Sequence, residues 1–160
     1  MPKQELLARI IAQLQSELDL LTQAALATHA EATDEENKAE DKYDTRGLEA
    51  SYLAHGQSKA AEEAAQAVAQ FRAMNVRDVA PGEPASLGSL VTVTDPAGRK
   101  TRYFIGPRAG GTEVNMGGDS IMVITPQSPL GRELVGRRSG DRVVTTLGGK
   151  RGELTIAALA

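Results

Sequence analysis

The chain has 160 residues, 41% of them hydrophobic, with no cysteine, no tryptophan and a formal net charge of −3 at pH 7. That length fits one ordinary domain or two small ones, and the missing cysteines exclude a disulfide framework, a thiolate nucleophile and a zinc-thiolate centre. No apolar run approaches the roughly 20 residues that span a bilayer, and the N-terminus lacks a basic-then-apolar signal, so a soluble cytoplasmic protein is expected.

Helix breakers divide the chain. Of the seven prolines only Pro2 precedes residue 81, and of the 16 glycines only Gly47 and Gly56 do. Charge divides at the same place: residues 1–78 carry −6 and residues 79–160 carry +3. Two domains are therefore expected, 1–78 helical and acidic, 79–160 turn-rich and basic. Such a dipole suits steering onto a partner of complementary charge and does not suit coating of nucleic acid.

From the N-terminus, Leu7, Ile11, Leu14, Leu18, Leu21, Ala25, Thr28 and Ala32 follow a 4-3-4-3 spacing, the seam of a coiled coil. Pro2 is a favoured first-turn residue, so the first helix is predicted from about residue 2 into the thirties. A second seam, Leu53, Ala60, Ala64, Ala67, Phe71 and Met74, repeats the spacing, with Gly56 and Gln57 as its weak point. Folding back antiparallel brings the early Leu/Ile segment near Phe71 and Met74. Equal arms put the reversal close to residue 39, at the end of a rod about 45 to 50 Å long.

That reversal falls in a run of carboxylates: Asp34, Glu35, Glu36, Glu40, Asp41 and Asp44. Side chains there are remote from any core and are presented rather than buried. Thr33 followed by Glu36 has capping-box spacing, which would start the second helix early and leave Asp34 and Glu35 at its positive end.

After residue 79 short alternating runs predict strands over 89–94, 101–105, 120–124, 142–146 and 152–157. Asp95-Pro96-Ala97-Gly98, Gly110-Gly111, Gly117-Gly118 and Gly148-Gly149 supply turns of the kind that join antiparallel strands. Ser128 as cap and Pro129 as first residue open a short helix that stops at Gly136. Gly106 to Gly111 is not a phosphate loop, since it lacks the terminal Gly-Lys-Ser/Thr. His29 and His55 are isolated from each other and from any third metal ligand.

The string Ser128-Pro129-Leu130-Gly131-Arg132-Glu133-Leu134-Val135-Gly136, continuing through Arg137-Arg138-Ser139-Gly140-Asp141-Arg142-Val143, closely resembles a signature of the Gre transcription elongation factors, S-P-L-G-[RK]-A-L-[LI]-G-K-x-x-G-D-x-V. Leu147 to Lys150 resembles their following hairpin, Tyr103, Ile105 and Gly106 match Y-x-[IL]-V-G, and Glu17 to Leu21 looks like E-L-x-x-L of their coiled coil. The resemblance implies an α+β chain: an antiparallel coiled-coil hairpin, then a small FKBP-like antiparallel β domain with one short helix. It further implies a monomeric accessory factor, not itself an enzyme. Such a factor binds bacterial RNA polymerase in the transcribing complex of DNA and nascent RNA. Its coiled coil enters the secondary channel, where any RNA cleavage is catalysed by the polymerase.

In that family the tip resembles D-x-x-E-N-x-[DE]-Y, whose acids help hold a second Mg²⁺ in the polymerase active centre; the factor has no cofactor of its own. Here Glu36-Asn37 reproduces E-N, but Thr33 stands where the first Asp belongs, and Asp41-Lys42-Tyr43-Asp44 restores D-x-x-[DE] without the Asn. The midpoint estimate favours Asp41 and Asp44, then Glu40 and Glu36, as metal-assisting carboxylates acting in trans. Partner contacts fall on Ser128, Pro129, Leu130, Arg132, Arg137 and Arg138. The three arginines face an acidic surface or RNA, or else simply solvate a helix C-terminus.

Three other readings stay open. A cleavage-inactive competitor or inhibitor would use the same channel with the altered tip. An FKBP-type prolyl isomerase with a helical chaperone arm would need aromatics around its substrate, and residues 79–160 hold only Tyr103 and Phe104. An adaptor whose coil pairs with another coil would be a dimer.

Overall fold

A computed structural model describes residues 2–33, 46–147 and 149–160. The elements are α1 (Lys3–Thr33), α2 (Arg46–Arg72), β1 (Leu90–Thr94), β2 (Lys100–Ile105), β3 (Glu113–Met116), β4 (Asp119–Ile124), α3 (Pro129–Leu134), β5 (Arg142–Leu147) and β6 (Lys150–Leu159). The order is that of an α+β chain, a helical region followed by a sheet with one short helix. The chain divides into two compact units, Ala12–Ala69, and Met1–Ile11 together with Gln70–Ala160. None of the described helices is long and apolar enough to cross a membrane.

In the helical unit, position along the seam decides burial. Leu14, Ala25 and Thr28 are buried and Leu18 and Leu21 half-buried, whereas Leu20 and Leu26, off the seam, are 66% and 65% exposed. In α2, Ala67 and Val68 are buried and Ala60 and Ala64 half-buried. Gln57 interrupts this stripe with a buried Oε1 that has no hydrogen-bond partner among the described residues, a local cost.

The sheet unit runs β3-β4-β2-β1-β6-β5. Every pairing is antiparallel except β2 with β4, which is parallel. The parallel pair arises because the chain leaves β2, forms β3 at the outer edge and turns back, so that β4 inserts between β3 and β2. The turn into β4 is Gly117-Gly118, both at positive φ (61° and 85°), between the paired residues Met116 and Asp119. Two successive left-handed residues match the twist of a two-residue hairpin. The mixed sheet thus differs from a purely antiparallel one by this single insertion.

Alternation gives the sheet two apolar faces. On one, Val91, Val93, Ile105, Ile124, Val143 and Ile156 pack against Leu130 and Leu134 of α3. On the other, Phe104 lies in register with Leu90 and Val123, and Phe71, from the end of α2, meets it with ring centroids 6.5 Å apart. The first turns of α1 hold to the same unit: Arg9 Nη1 donates to Asn115 O at 3.2 Å, and Leu6 and Ile10 are fully buried.

Lys3 is only 4% exposed, and its Nζ donates to Gly88 O at 2.8 Å. Burial pulls its pKa below the usual 10.5, and Arg77 adds to this, while Asp78 and Glu83 oppose it. The unfolded chain therefore holds the Lys3 proton at a pH where the folded chain has lost it. Stability is expected to rise with pH through the window just below 10.5. Urea denaturation at stepped alkaline pH checks this: Lys3→Met should flatten the rise, and an unchanged slope would remove Lys3 as its source.

Candidate functional site

The tip carboxylates Glu36, Glu40, Asp41 and Asp44, with Asp34 and Glu35, lie outside the described residues. The described parts of the flanking helices are α1, as far as Thr33, and α2, from Arg46, so the reversal expected near residue 39 also lies outside the described residues. Thr33 belongs to α1, and the capping-box reading of Thr33 with Glu36 likewise falls outside the described residues.

The described part of the candidate site is the corner around α3. Ser128 is extended (φ −66°, ψ 156°) and its Oγ accepts from Gly131 N at 3.0 Å while its hydroxyl donates to Thr125 O at 2.7 Å. Pro129 stands in the first turn, where the missing N–H is not needed. Gly131 has no alternative: a Cβ there would lie 1.8 Å from Thr125 O. At the far end Val135 N donates to Gly131 O at 2.9 Å, and Gly136, at φ 86°, lets the chain turn away. Gly136 N then donates to Ala85 O and Ala85 N to Arg137 O, at 2.8 and 2.7 Å, tying the corner to the segment before β1.

This construction sorts the six residues of the corner. Ser128 caps and Pro129 opens the helix, while the Leu130 side chain is buried in the core against the sheet. Arg137 Nε donates to Glu133 O at 3.4 Å, close to its own helix C-terminus. Arg138 Nε donates to Gly82 O at 2.9 Å, and its backbone N–H to Asp141 Oδ2 at 2.8 Å. Arg132 is exposed and has no ion pair or hydrogen-bonded side-chain partner among the described residues. The arginines are thus three separate groups.

Arg132 lines an open groove of about 390 Å³ with Pro129, Glu133, Val144, Thr145 and Thr146. Arg151, which stands opposite Thr146 in the β5/β6 pairing, completes it. Spacing along the sequence did not mark Arg151 or Val144, because the strand register alone brings them beside α3. Among the described residues no three His, Asp or Glu side chains converge as a metal site requires. In the loop after β2, Gly106 N and Gly111 N donate to Ile124 O and Val123 O, both at 2.8 Å, so these amides bind the neighbouring strand.

Residues 80–160 match the family profile described as transcription elongation factor, GreA/GreB, C-term. No curated protein sequence matches the chain. Similar solved structures include the transcription factor Gfh1, 22% identical over 94% of this chain and 93% of that one, TM-score 0.43. Gfh1 of Thermus aquaticus is 24% identical over 95% and 92%, TM-score 0.41. A GreA/GreB elongation factor from Nitrosomonas europaea is 18% identical over 71% and 92%, TM-score 0.38. With its Ser128 to Val143 corner built as described and the whole of 80–160 covered by the profile, the chain belongs to the GreA/GreB family of transcription elongation factors.

Proposed function

We propose that this protein is an accessory factor of bacterial RNA polymerase that docks through the α3 corner and inserts its helical arm into the secondary channel. There the tip carboxylates stimulate cleavage of backtracked RNA. The observation that carries the docking half is the corner itself: a capped, glycine-locked turn that holds Pro129 and the unpaired Arg132 at the surface. A rigid exposed corner loses little entropy on binding.

The cleavage half rests on the donor set. Asp41 and Asp44, with Glu40 and Glu36 beside them, offer the hard oxygen ligands that Mg²⁺ prefers. A second Mg²⁺ shared with the polymerase would supply charge stabilisation for phosphodiester hydrolysis. This chain's own task is to bring carboxylates to that place, and the catalyst remains the polymerase.

A second reading is favoured by one observation. Thr33, at the position of the first tip acid, cannot ligate as a carboxylate does, and it belongs to α1. A factor with that change occupies the channel without promoting cleavage. Stalled, backtracked complexes separate the two readings. Stimulated RNA cleavage that falls at least 100-fold in Asp41→Ala plus Asp44→Ala, with polymerase binding retained, is the expected result. No stimulation by the unaltered protein, with binding and competition intact, would establish the inhibitor in its place.

A prolyl isomerase is disfavoured by the fold. Tyr103 and Phe104 are successive residues of β2, so they lie on opposite faces of the sheet and cannot enclose one substrate.

A further inference from the structure

The two edges of the sheet are not alike. At one, β3 is four residues long, and Arg9 already occupies the Asn115 carbonyl. At the other, β5 runs six residues in unbroken register with β6, with no further strand beside it among the described residues; its neighbour there is the short helix α3. Between Arg142 and Leu147 it reads Val-Val-Thr-Thr, with no proline, bulge or charge. Exposed edges are ordinarily protected by such devices, because their free N–H and C=O groups template pairing with another chain.

The groove beside α3 lies along this edge. Val144, Thr145 and Thr146 all line it; Val144 and Thr146 share one face of the strand with Arg151, the cross-strand partner of Thr146, while Thr145 on the other face is buried. Val144 is 47% exposed there. Pro129, Arg132 and Glu133 form the facing wall. Arg132 and Arg151 are both exposed and unpaired among the described residues, whereas Arg142 faces Glu153 at 3.6 Å. Two free guanidinium groups against the single carboxylate of Glu133 leave the groove positive.

We propose that this groove receives an extended, acidic segment of a partner protein, which adds to the outer edge of β5 as a seventh strand. Backbone hydrogen bonds to β5 would supply affinity, as in other cases of strand addition. Carboxylates at alternate positions would meet Arg132 and Arg151, whose planar forks suit bidentate pairing.

The test uses the intact chain and a fluorescein-labelled eight-residue peptide of alternating valine and glutamate, followed by fluorescence anisotropy. The assay contains no polymerase, so it succeeds or fails independently of the functional reading above. Saturable binding is expected, weakened at least ten-fold by Arg132→Glu plus Arg151→Glu and at least ten-fold by N-methylation of alternate peptide amides. Both substitutions are at the surface, and an unaltered thermal melt verifies the fold; Arg132→Gln plus Arg151→Gln should weaken binding less than the charge reversal. Equal affinity for the N-methylated peptide would overturn strand addition, and equal binding by the charge-reversed variant would overturn the role of the arginines. Tighter binding of a single-stranded oligonucleotide of the same charge would reassign the groove to nucleic acid. A dimer in sedimentation that the double variant dissociates would reassign it to a second copy.

Discussion

Gly131→Ala is expected to destabilise the sheet unit by about 3 kcal/mol or more, the upper end of what overpacking a tight site costs. The added Cβ would stand 1.8 Å from Thr125 O and 2.8 Å from both Thr125 C and Ser128 Oγ. The nearest obstacle is backbone, which cannot swing aside as a side chain can. Moving it would break the Ser128 hydroxyl bond to Thr125 O and the cap on Gly131 N together. Urea denaturation followed by circular dichroism measures the loss. Gly56→Ala is the control, because that glycine lies within α2 with nothing within 4 Å of its would-be Cβ; there alanine should stabilise by up to about 1 kcal/mol through helix propensity. A Gly131→Ala protein as stable as wild type would show that the corner is not locked as described.

Phe71→Ala should cost about 3 to 5 kcal/mol, as truncation of a fully buried aromatic does when the cavity cannot collapse. Phe71 has no exposed surface, and its ring lies between Phe104 and the backbone of Gly106, where a Cβ would come 2.7 Å from Phe71 Cζ. That contact makes a reciprocal prediction. Gly106→Ala alone should be strongly destabilising, and in the Phe71→Ala background it should cost much less, because the void then accepts the methyl group. A double-mutant cycle measured by denaturation should give a coupling above about 1 kcal/mol, whereas additive effects would separate the two sites.

The seam of α1 was legible because a 4-3 repeat of Leu, Ile and Ala has one structural meaning, and the buried stripe through Leu14, Ala25 and Thr28 follows it. The five expected strands and the short helix emerge within a few residues of their predicted positions, since glycine and proline pairs punctuate that half of the chain. β3 was not legible: four residues with Glu113 and Asn115 among them carry a weak strand preference. Nor was the parallel pairing of β2 and β4, because alternation fixes which face a residue occupies and says nothing about which strand lies beside it.

At the candidate site, Ser128 and Pro129 act as their types foretold. Arg137 lies near its own helix C-terminus and Arg138 reaches back to Gly82, a contact 56 residues distant that no local pattern encodes. The groove was hidden for the same reason, since Arg151 joins Arg132 only through the β5/β6 register. Lys3, a type ordinarily left in solvent, is buried by a carbonyl 85 residues away.

The sheet unit takes its chain from two places, Met1–Ile11 and Gln70–Ala160, with the helical unit inserted between them. Its apolar face therefore cannot be completed by residues 79–160 alone, for Phe71, Leu6 and Ile10 arrive from outside that stretch. The inserted residues are, to the sheet unit, a folded excursion of the chain between Ile11 and Gln70. Whole heptads added to or removed from that excursion therefore leave every residue of the sheet unit's own core unchanged.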